Sequence, residues 1–399
     1  MNAPLRHSPV DRIRGFHQEL TGIRRDIHAH PELAFREHRT SDLVAAKLDA
    51  FGVEVHRGIA GTGIVGVVRG RASASGRAIG LRADMDCLPM EETGKLPYKS
   101  VHPGCMHACG HDGHTTMLLG AARYLAETRN FDGTAYLIFQ PAEENGGGGR
   151  VMVEEGLFER FPADEVYALH NWPGLPPGTM AVRPGPVMAA TDEIVITLSG
   201  RGGHGAMPHL TVDPVVICAQ VISALQTIAS RNVHPVDAVV VSICSMATSQ
   251  VGAFNVTPEQ VNLIGTVRSF RPETRDLAER RVREIAEGVA TALGGAAAVE
   301  YRRGYPATVN TEREAAFAAR VGERIFGAGN VHTEEDPTMG GEDFSYMLLA
   351  RPGAYVWLGQ GGGQSGCFLH NPGYDFNDDV IPLGAGYLAA LVEDALPID

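Results

Sequence analysis

Apolar residues recur at three- and four-residue intervals through Ile13, Phe16, Leu20, Ile23 and Ile27, the spacing of one buried helix face. Ser8-Pro9 and the acid at Asp11 mark its start, and Pro31 follows its end. His28 and His30 fall in the last turn, where a helix terminus readily satisfies an imidazole. A second helical stretch, roughly 39–51, stops at Gly52. The period then changes. Residues 64–68, 78–82, 134–139 and 165–169 are short apolar runs that read as strands. Between the second and third lies a helical pattern, 115–128, with Met117, Leu118, Ala121 and Leu125 on one face. Strands alternating with helices predict an α/β sheet, in which function gathers beyond the carboxyl ends of strands.

Near Pro184-Gly185-Pro186 the pattern changes again. A strand at 192–198 leads to a helix capped by Asp213-Pro214 and running to about 231. Strands at 238–243 and 261–270, a helix at 272–293 and a strand at 297–301 follow. The order β-α-β-β-α-β is that of a ferredoxin-like unit. It predicts a small α+β domain, 187–303, inserted into a larger domain formed by 1–186 and 304–399. The larger domain resumes with a helix at 312–326 and a strand at 354–358.

Composition narrows the class. A formal charge of −13 argues against nucleic acid or an anionic membrane as partner, since either needs a basic face. No stretch approaches the roughly 20 apolar residues of a membrane span. Residues 1–16 hold no apolar run that would read as an export signal, so the six scattered cysteines are expected to be reduced thiols in the cytoplasm.

The chemistry concentrates at Met106-His107-Ala108-Cys109-Gly110-His111-Asp112-Gly113-His114. A thiol and an imidazole flank a glycine that lets the backbone bend, so both can face one point. Both are ligand types of borderline-soft divalent metals such as zinc. Asp86, the pair Glu143-Glu144, and His170 follow three predicted strands, and His370 stands in a later loop. Cys109, His111, Glu144, His170 and His370 are one ligand too many for a closed tetrahedral site. They suit two divalent ions sharing a bridge, with Cys109 as that bridge. One thiolate and one carboxylate against two divalent ions leave a residual positive charge, which would acidify a bound water. Alternation along a strand would turn Glu143 away from Glu144's metal and leave it as general base. Asp86 could hold a ligand imidazole by its second nitrogen.

Blander readings stand beside these. The Glu pair could be solvated, His170 and His370 could be packed histidines, and Cys105, Cys109, His111 and His114 could form a closed structural zinc site. Gly146 to Gly149 lacks the trailing Gly-Lys-Ser/Thr of a phosphate loop.

Together the motifs resemble the hippurate hydrolase group, which includes plant auxin-conjugate amidohydrolases and bacterial N-acyl-amino-acid amidohydrolases within the aminoacylase and zinc carboxypeptidase superfamily. The residues carrying the resemblance are Leu81 to Asp86, Met106 to His114, Gln140 to Glu144, Ala168-Leu169-His170, Gly202 to His209, Gly340-Gly341-Glu342-Asp343-Phe344 and Leu369-His370-Asn371-Pro372. The resemblance implies a di-metal hydrolase domain with an inserted lid that forms a homodimer or homotetramer. It implies cleavage of small N-acyl amino acids to a carboxylic acid and a free amino acid. By the same resemblance Cys109, His111, Glu144, His170 and His370 bind metal, Glu143 is the base, and His204 reaches the substrate carbonyl in a partner subunit's site. Asn255, Arg268 and Gly341 then hold substrate. An arginine fork matches a carboxylate in two parallel bonds, which suits Arg268. Relatives that cleave peptides and folate conjugates carry a bridging aspartate where Cys109 stands. The thiolate favours zinc, while members of the Cys-containing group are regarded as manganese or nickel enzymes. An accessible thiolate would also make the enzyme oxidant-sensitive. Dipeptides and indoleacetyl conjugates are alternative substrates, and a non-catalytic metal-binding protein is the alternative from another class.

Overall fold

Residues 8–362 and 366–398 are described by a computed structural model of the chain; residues 1–7, part of the stretch read as lacking an export signal, lie outside it. The chain divides into two units. The first comprises Met1–Val187, Val309–Asp336 and Asp343–Asp399, and the second Met188–Thr308 with Pro337–Glu342.

In the first unit the predicted N-terminal helix is two helices, α1 (Pro9–Arg14) and α2 (His17–Ala29). The break falls at Gly15-Phe16, where the amides of both residues bond back to Arg12 and Ile13. α3 is His38–Ala50. The strands β1 (Glu54–Ile59), β2 (Gly63–Arg69), β3 (Ala78–Asp84), β4 (Thr134–Gln140) and β5 (Glu165–Trp172) follow, with α4 (His111–Thr128) between β3 and β4. They lie in an eight-stranded mixed sheet, ordered β1-β2-β4-β3-β5, then Gly353–Gly359, Met180–Ala181 and Val331–His332. β4, β3, β5 and Gly353–Gly359 run parallel, while β1 and β2 are antiparallel additions at one side. β3 and Gly353–Gly359 are buried at every position, as strands covered on both faces must be.

Among the elements that escape a reading of apolar spacing are β1 and the C-terminal helix. β1 is half exposed and its Glu54, His56 and Arg57 hide it among polar sequence. The C-terminal helix Ile381–Ala395 is apolar all round because it is nearly all buried, which removes the stripe that periodicity detects. It packs closely on α4: a Cβ at Gly384 would lie 2.1 Å from the Met117 sulfur.

The second unit carries the predicted β-α-β-β-α-β order. Its strands are Ala190–Ser199, Val239–Thr248, Gln260–Ser269 and Ala296–Arg303. Its helices are Pro214–Leu225 and Pro272–Ala292. The antiparallel sheet places the first strand between the third and the fourth, with the second beyond the third, which is ferredoxin-like topology. The Asp213 carboxylate caps the first helix by accepting from Val215 N–H. Pro337–Glu342 joins this unit through Met188, which bridges to Thr338, and through Ala189, whose amide bonds to the Gly340 carbonyl. One helix among the described residues, Pro214–Asn232, is long and apolar enough by length and composition to cross a membrane. Here Ile217, Val221, Leu225 and Ile228 of that segment pack into the second unit's core.

Candidate metal centre

Parallel strands β3, β4 and β5 end side by side, and the candidate residues stand at or just beyond those ends. Asp84 closes β3, Glu143 and Glu144 stand in the turn after β4, and His170 is near the end of β5. α4 starts beneath them, with His111 as its first residue. Gly110 makes the turn between Cys109 and His111 at φ +95°, a left-handed conformation that costs a residue with a Cβ. A Cβ there would also lie 2.3 Å from Asn171 Oδ1 and 2.7 Å from the Tyr374 hydroxyl.

All five sequence-predicted ligands meet. Cys109 Sγ is 3.4 Å from His170 Nε2, and His370 Nε2 is 3.1 Å from Glu144 Oε1. Cys109, His111 and His170 form one group whose ligand atoms lie within 4.8 Å of one another, and Cys109, Glu144 and His370 form another. Cys109 is common to both, as a bridge must be. Cys109, His111 and His170 are buried, whereas the His370 side chain is 53% exposed, so the centre opens to solvent on that side. His370 and Ala142 take φ of +59° and +55°, uncommon for residues with side chains and enriched at functional sites.

Two candidate ligand atoms here lack a hydrogen-bond partner. His111 Nε2 and Glu144 Oε1 are buried without a hydrogen bond; the His370 contact to Glu144 is close but lacks hydrogen-bond geometry. An orphaned nitrogen and an orphaned carboxylate oxygen beside a thiol form a donor set that fits divalent cations.

The charges support the same fit. Burial, then the carboxylates of Glu144, Glu143 and Asp84, push the Cys109 thiol well above its ordinary range. Burial and the neighbouring His114 hold His170 well below the ordinary imidazole range, which keeps it neutral. Burial opposes the charging of His111, yet Asp84 and Asp86 push it up to about 10. Cations at this point would favour the thiolate and displace the His111 proton.

Three sequence expectations change. Glu143 and Glu144 stand in a turn, so strand alternation does not separate them: oxygens of both group with His111 within 4.8 Å. Asp86 does more than steady an imidazole. His111 Nδ1 lies 2.9 Å from its backbone carbonyl, while its carboxylate accepts from the amides of Glu143 and Glu144 at 3.0 and 2.9 Å. Cys109 is buried at 8% exposure, which counters the expected accessibility of this thiol to oxidants.

The closed site of Cys105, Cys109, His111 and His114 does not form. His114 is instead tied to Asp84 through Nδ1 and to Asn171 Oδ1 through Nε2, both at 2.6 Å. Spacing alone did not single out Asp84, His114, Asn171 or Arg82. Arg82, buried in β3, donates to Gln140, Asp84 and Asp343 and fixes the ends of two strands together. The available signal was Asp84 two residues before Asp86, and His114 one helical turn beyond His111. His28 is buried against Asp112, its Nδ1 2.9 Å from that carboxylate. His107, also buried, is pushed by burial down to about 3 and stays neutral.

Residues 80–394 match the sequence pattern of peptidase family M20/M25/M40. The chain belongs to this family. Its relatives include the hippurate hydrolase of Campylobacter jejuni, 41% identical over 382 residues that span 96% of this chain and 98% of that enzyme. The N-acetylcysteine deacetylase of Bacillus subtilis is 36% identical over 380 residues, spanning 95% and 97%. Among solved structures, Bacillus subtilis YxeP, described as a dinuclear metal binding peptidase of the M20 family, superposes with a TM-score of 0.83 at 32% identity, covering 96% of this chain and 99% of that one.

The remaining predicted residues lie in the second unit. His204 is exposed and pairs with Val256 in a two-stranded ribbon, with its Nδ1 accepting from Ala206 N–H. Asn255 is exposed one residue earlier. Arg268, half buried, donates to the Thr266 hydroxyl at 3.0 Å and has no salt bridge among the described residues. Gly341 fits against Thr191, whose Cγ2 would lie 2.2 Å from a Cβ.

Proposed function

We propose that this chain is a metal-dependent amidohydrolase that cleaves small N-acyl amino acids, hippurate-like ones among them, to a carboxylic acid and a free amino acid. The carrying observation is the sharing of Cys109 between two ligand groups, with a further buried carboxylate, Glu143, beside them. The hydrolase and deacetylase relatives, and the dinuclear YxeP structure, support the same reading. Cys109, His111, Glu144, His170 and His370 would hold two divalent ions, which we take to be zinc, manganese or nickel.

When bound, such a pair supplies Lewis acidity and lowers the pKa of water. The chain's own contribution is proton transfer and positioning. Glu143 takes the proton of the attacking water on its carboxylate and returns it to the nitrogen of the departing amino acid. Asp86 orients this step by holding the backbone amides of Glu143 and Glu144. We assign Arg268, Asn255 and Gly341 to the substrate's amino-acid end, the guanidinium to its carboxylate, and His204 to its carbonyl. That Arg268 bonds the Thr266 hydroxyl but forms no salt bridge among the described residues favours this.

We also assign the protein to the cytoplasm, in keeping with six free cysteines, and to a homodimer or homotetramer joined through the second unit. Val215, Val216, Met246, Phe254 and Ile264 there are exposed. A panel of benzoylglycine, acetylated amino acids, indoleacetyl conjugates and free dipeptides, assayed with metal-loaded protein, tests the function. Turnover of the N-acyl amino acids supports it; preference for free dipeptides overturns the substrate class, and no turnover at all overturns the enzymatic reading.

A further inference from the structure

Beside the metal centre, on the same face of the sheet as His170, stands a row of aromatic rings that the hydrolytic chemistry leaves unused. Side chains alternate along β5, so Trp172 shares the face of His170 and lies one pleat further out. On the neighbouring strand, Trp357 stands directly beside His170 and Tyr355 beside Ala168. The rings of Tyr355 and His170 are 6.1 Å apart. Trp172 stacks on Trp357 at 4.3 Å with the planes 12° apart. Phe368, two residues before His370, meets Trp172 edge-on at 5.4 Å and 89°. Tyr355 and Trp357 are buried, Trp172 is partly exposed, and Phe368 is 49% exposed.

This gradient has a direct reading. The inner rings fix Trp172 by packing, so it needs no further ordering to receive a flat partner. Phe368 leaves half of a large apolar side chain in water within two residues of a candidate metal ligand. Gly174 lies beside both rings: a Cβ there would stand 3.3 Å from Trp172 Nε1 and in van der Waals contact with Phe368 Cε2 at 3.6 Å. None of these rings carries a charge, so the shelf suits the uncharged end of an N-acyl amino acid and not its carboxylate.

We infer that Trp172 and Phe368 form the acyl-group subsite and that they select substrates whose acyl group carries an aromatic ring, such as benzoyl or arylacetyl. An aryl ring gains edge-to-face or offset contact there beyond the area it buries, and an acetyl group gains little. The inference rests on the hydrolase reading and adds the residues that set acyl preference.

The test is kcat/KM for benzoylglycine and acetylglycine in wild type, Phe368→Ala, Phe368→Tyr and Trp172→Leu, each metal-loaded. The benzoyl-to-acetyl ratio is expected to fall about 10- to 100-fold in Phe368→Ala, chiefly through KM, and to fall in Trp172→Leu. Phe368→Tyr, which keeps the ring, is expected to restore most of it. An unmoved ratio, or an equal loss on both substrates that Tyr does not rescue, overturns the subsite while leaving the hydrolase reading intact. A wild type that hydrolyses neither compound overturns both.

Discussion

Replacing Gly110 by alanine adds one methyl group to the turn that aims both Cys109 and His111. The backbone there is left-handed at φ +95°, which costs an L-residue about 1–2 kcal/mol. The new Cβ would also lie 2.3 Å from Asn171 Oδ1 and 2.7 Å from the Tyr374 hydroxyl. Neither neighbour swings away freely. Asn171 Oδ1 is 2.6 Å from His114 Nε2, and Asn171 Nδ2 donates to the Tyr374 hydroxyl at 2.7 Å. Releasing either contact strands a buried polar group, at about 1–3 kcal/mol. Together these give a loss of about 2–5 kcal/mol. Urea unfolding of metal-free wild type and variant reads it as a lower midpoint. A competitive metal titration reads the second effect, a weakening of about 10- to 100-fold, the size expected when the support of a ligand is displaced. A variant within about 0.5 kcal/mol of wild type, with unaltered metal affinity, would refute the close-packing argument.

The buried charges behind that turn make two further predictions. Burial opposes the charging of His28, but Asp112 and Glu92 outweigh it and raise it to about 9. A raised histidine stabilises the fold fully below its unfolded pKa of about 6.5, and that contribution disappears as pH rises through about 9. In urea unfolding of the metal-free protein His28 should thus contribute a loss of about 3 kcal/mol between pH 6 and 10, beside that of His111, and His28→Gln should remove the His28 share of the decline. A profile unchanged by the substitution contradicts the assignment. Arg24, fully buried, lies 3.5 Å from Asp112, 3.4 Å from Asp375 and 2.6 Å from Asp378. Arg24→Met leaves Asp375 without its cation, while Asp112 keeps His28 and Asp378 keeps Arg25, and should cost about 3–5 kcal/mol by the same assay; a loss below about 1 kcal/mol would show that Asp375 is satisfied in another way.

Much of this molecule was legible in its sequence because the relevant signals were local. Strand ends followed by chemically distinctive residues brought Asp86, Glu144 and His170 into one reading with the Cys109-Gly110-His111 turn, and the alternation of elements from residue 192 onward defined the second unit's topology. What escaped was set by tertiary context. The C-terminal helix is enclosed on all sides and so shows no stripe, and β1 is a polar strand at the sheet's margin. Strand alternation does not separate Glu143 from Glu144 because the chain turns there, with Ala142 at φ +55°. Asp84, His114 and Asn171 act through one another, at 2.6 Å each, and pairwise ties between strand ends and a helix leave no mark in spacing.

The central claim is that Cys109, His111, Glu144, His170 and His370 hold two cations while Glu143 moves the proton. The most direct measurement is elemental analysis of wild type and Glu143→Gln, paired with benzoylglycine turnover by the same preparations. The account predicts two divalent ions per chain in both proteins, with turnover reduced about 10²–10⁴-fold in the variant. Turnover unchanged in Glu143→Gln, or activity in protein that holds no metal, would contradict it.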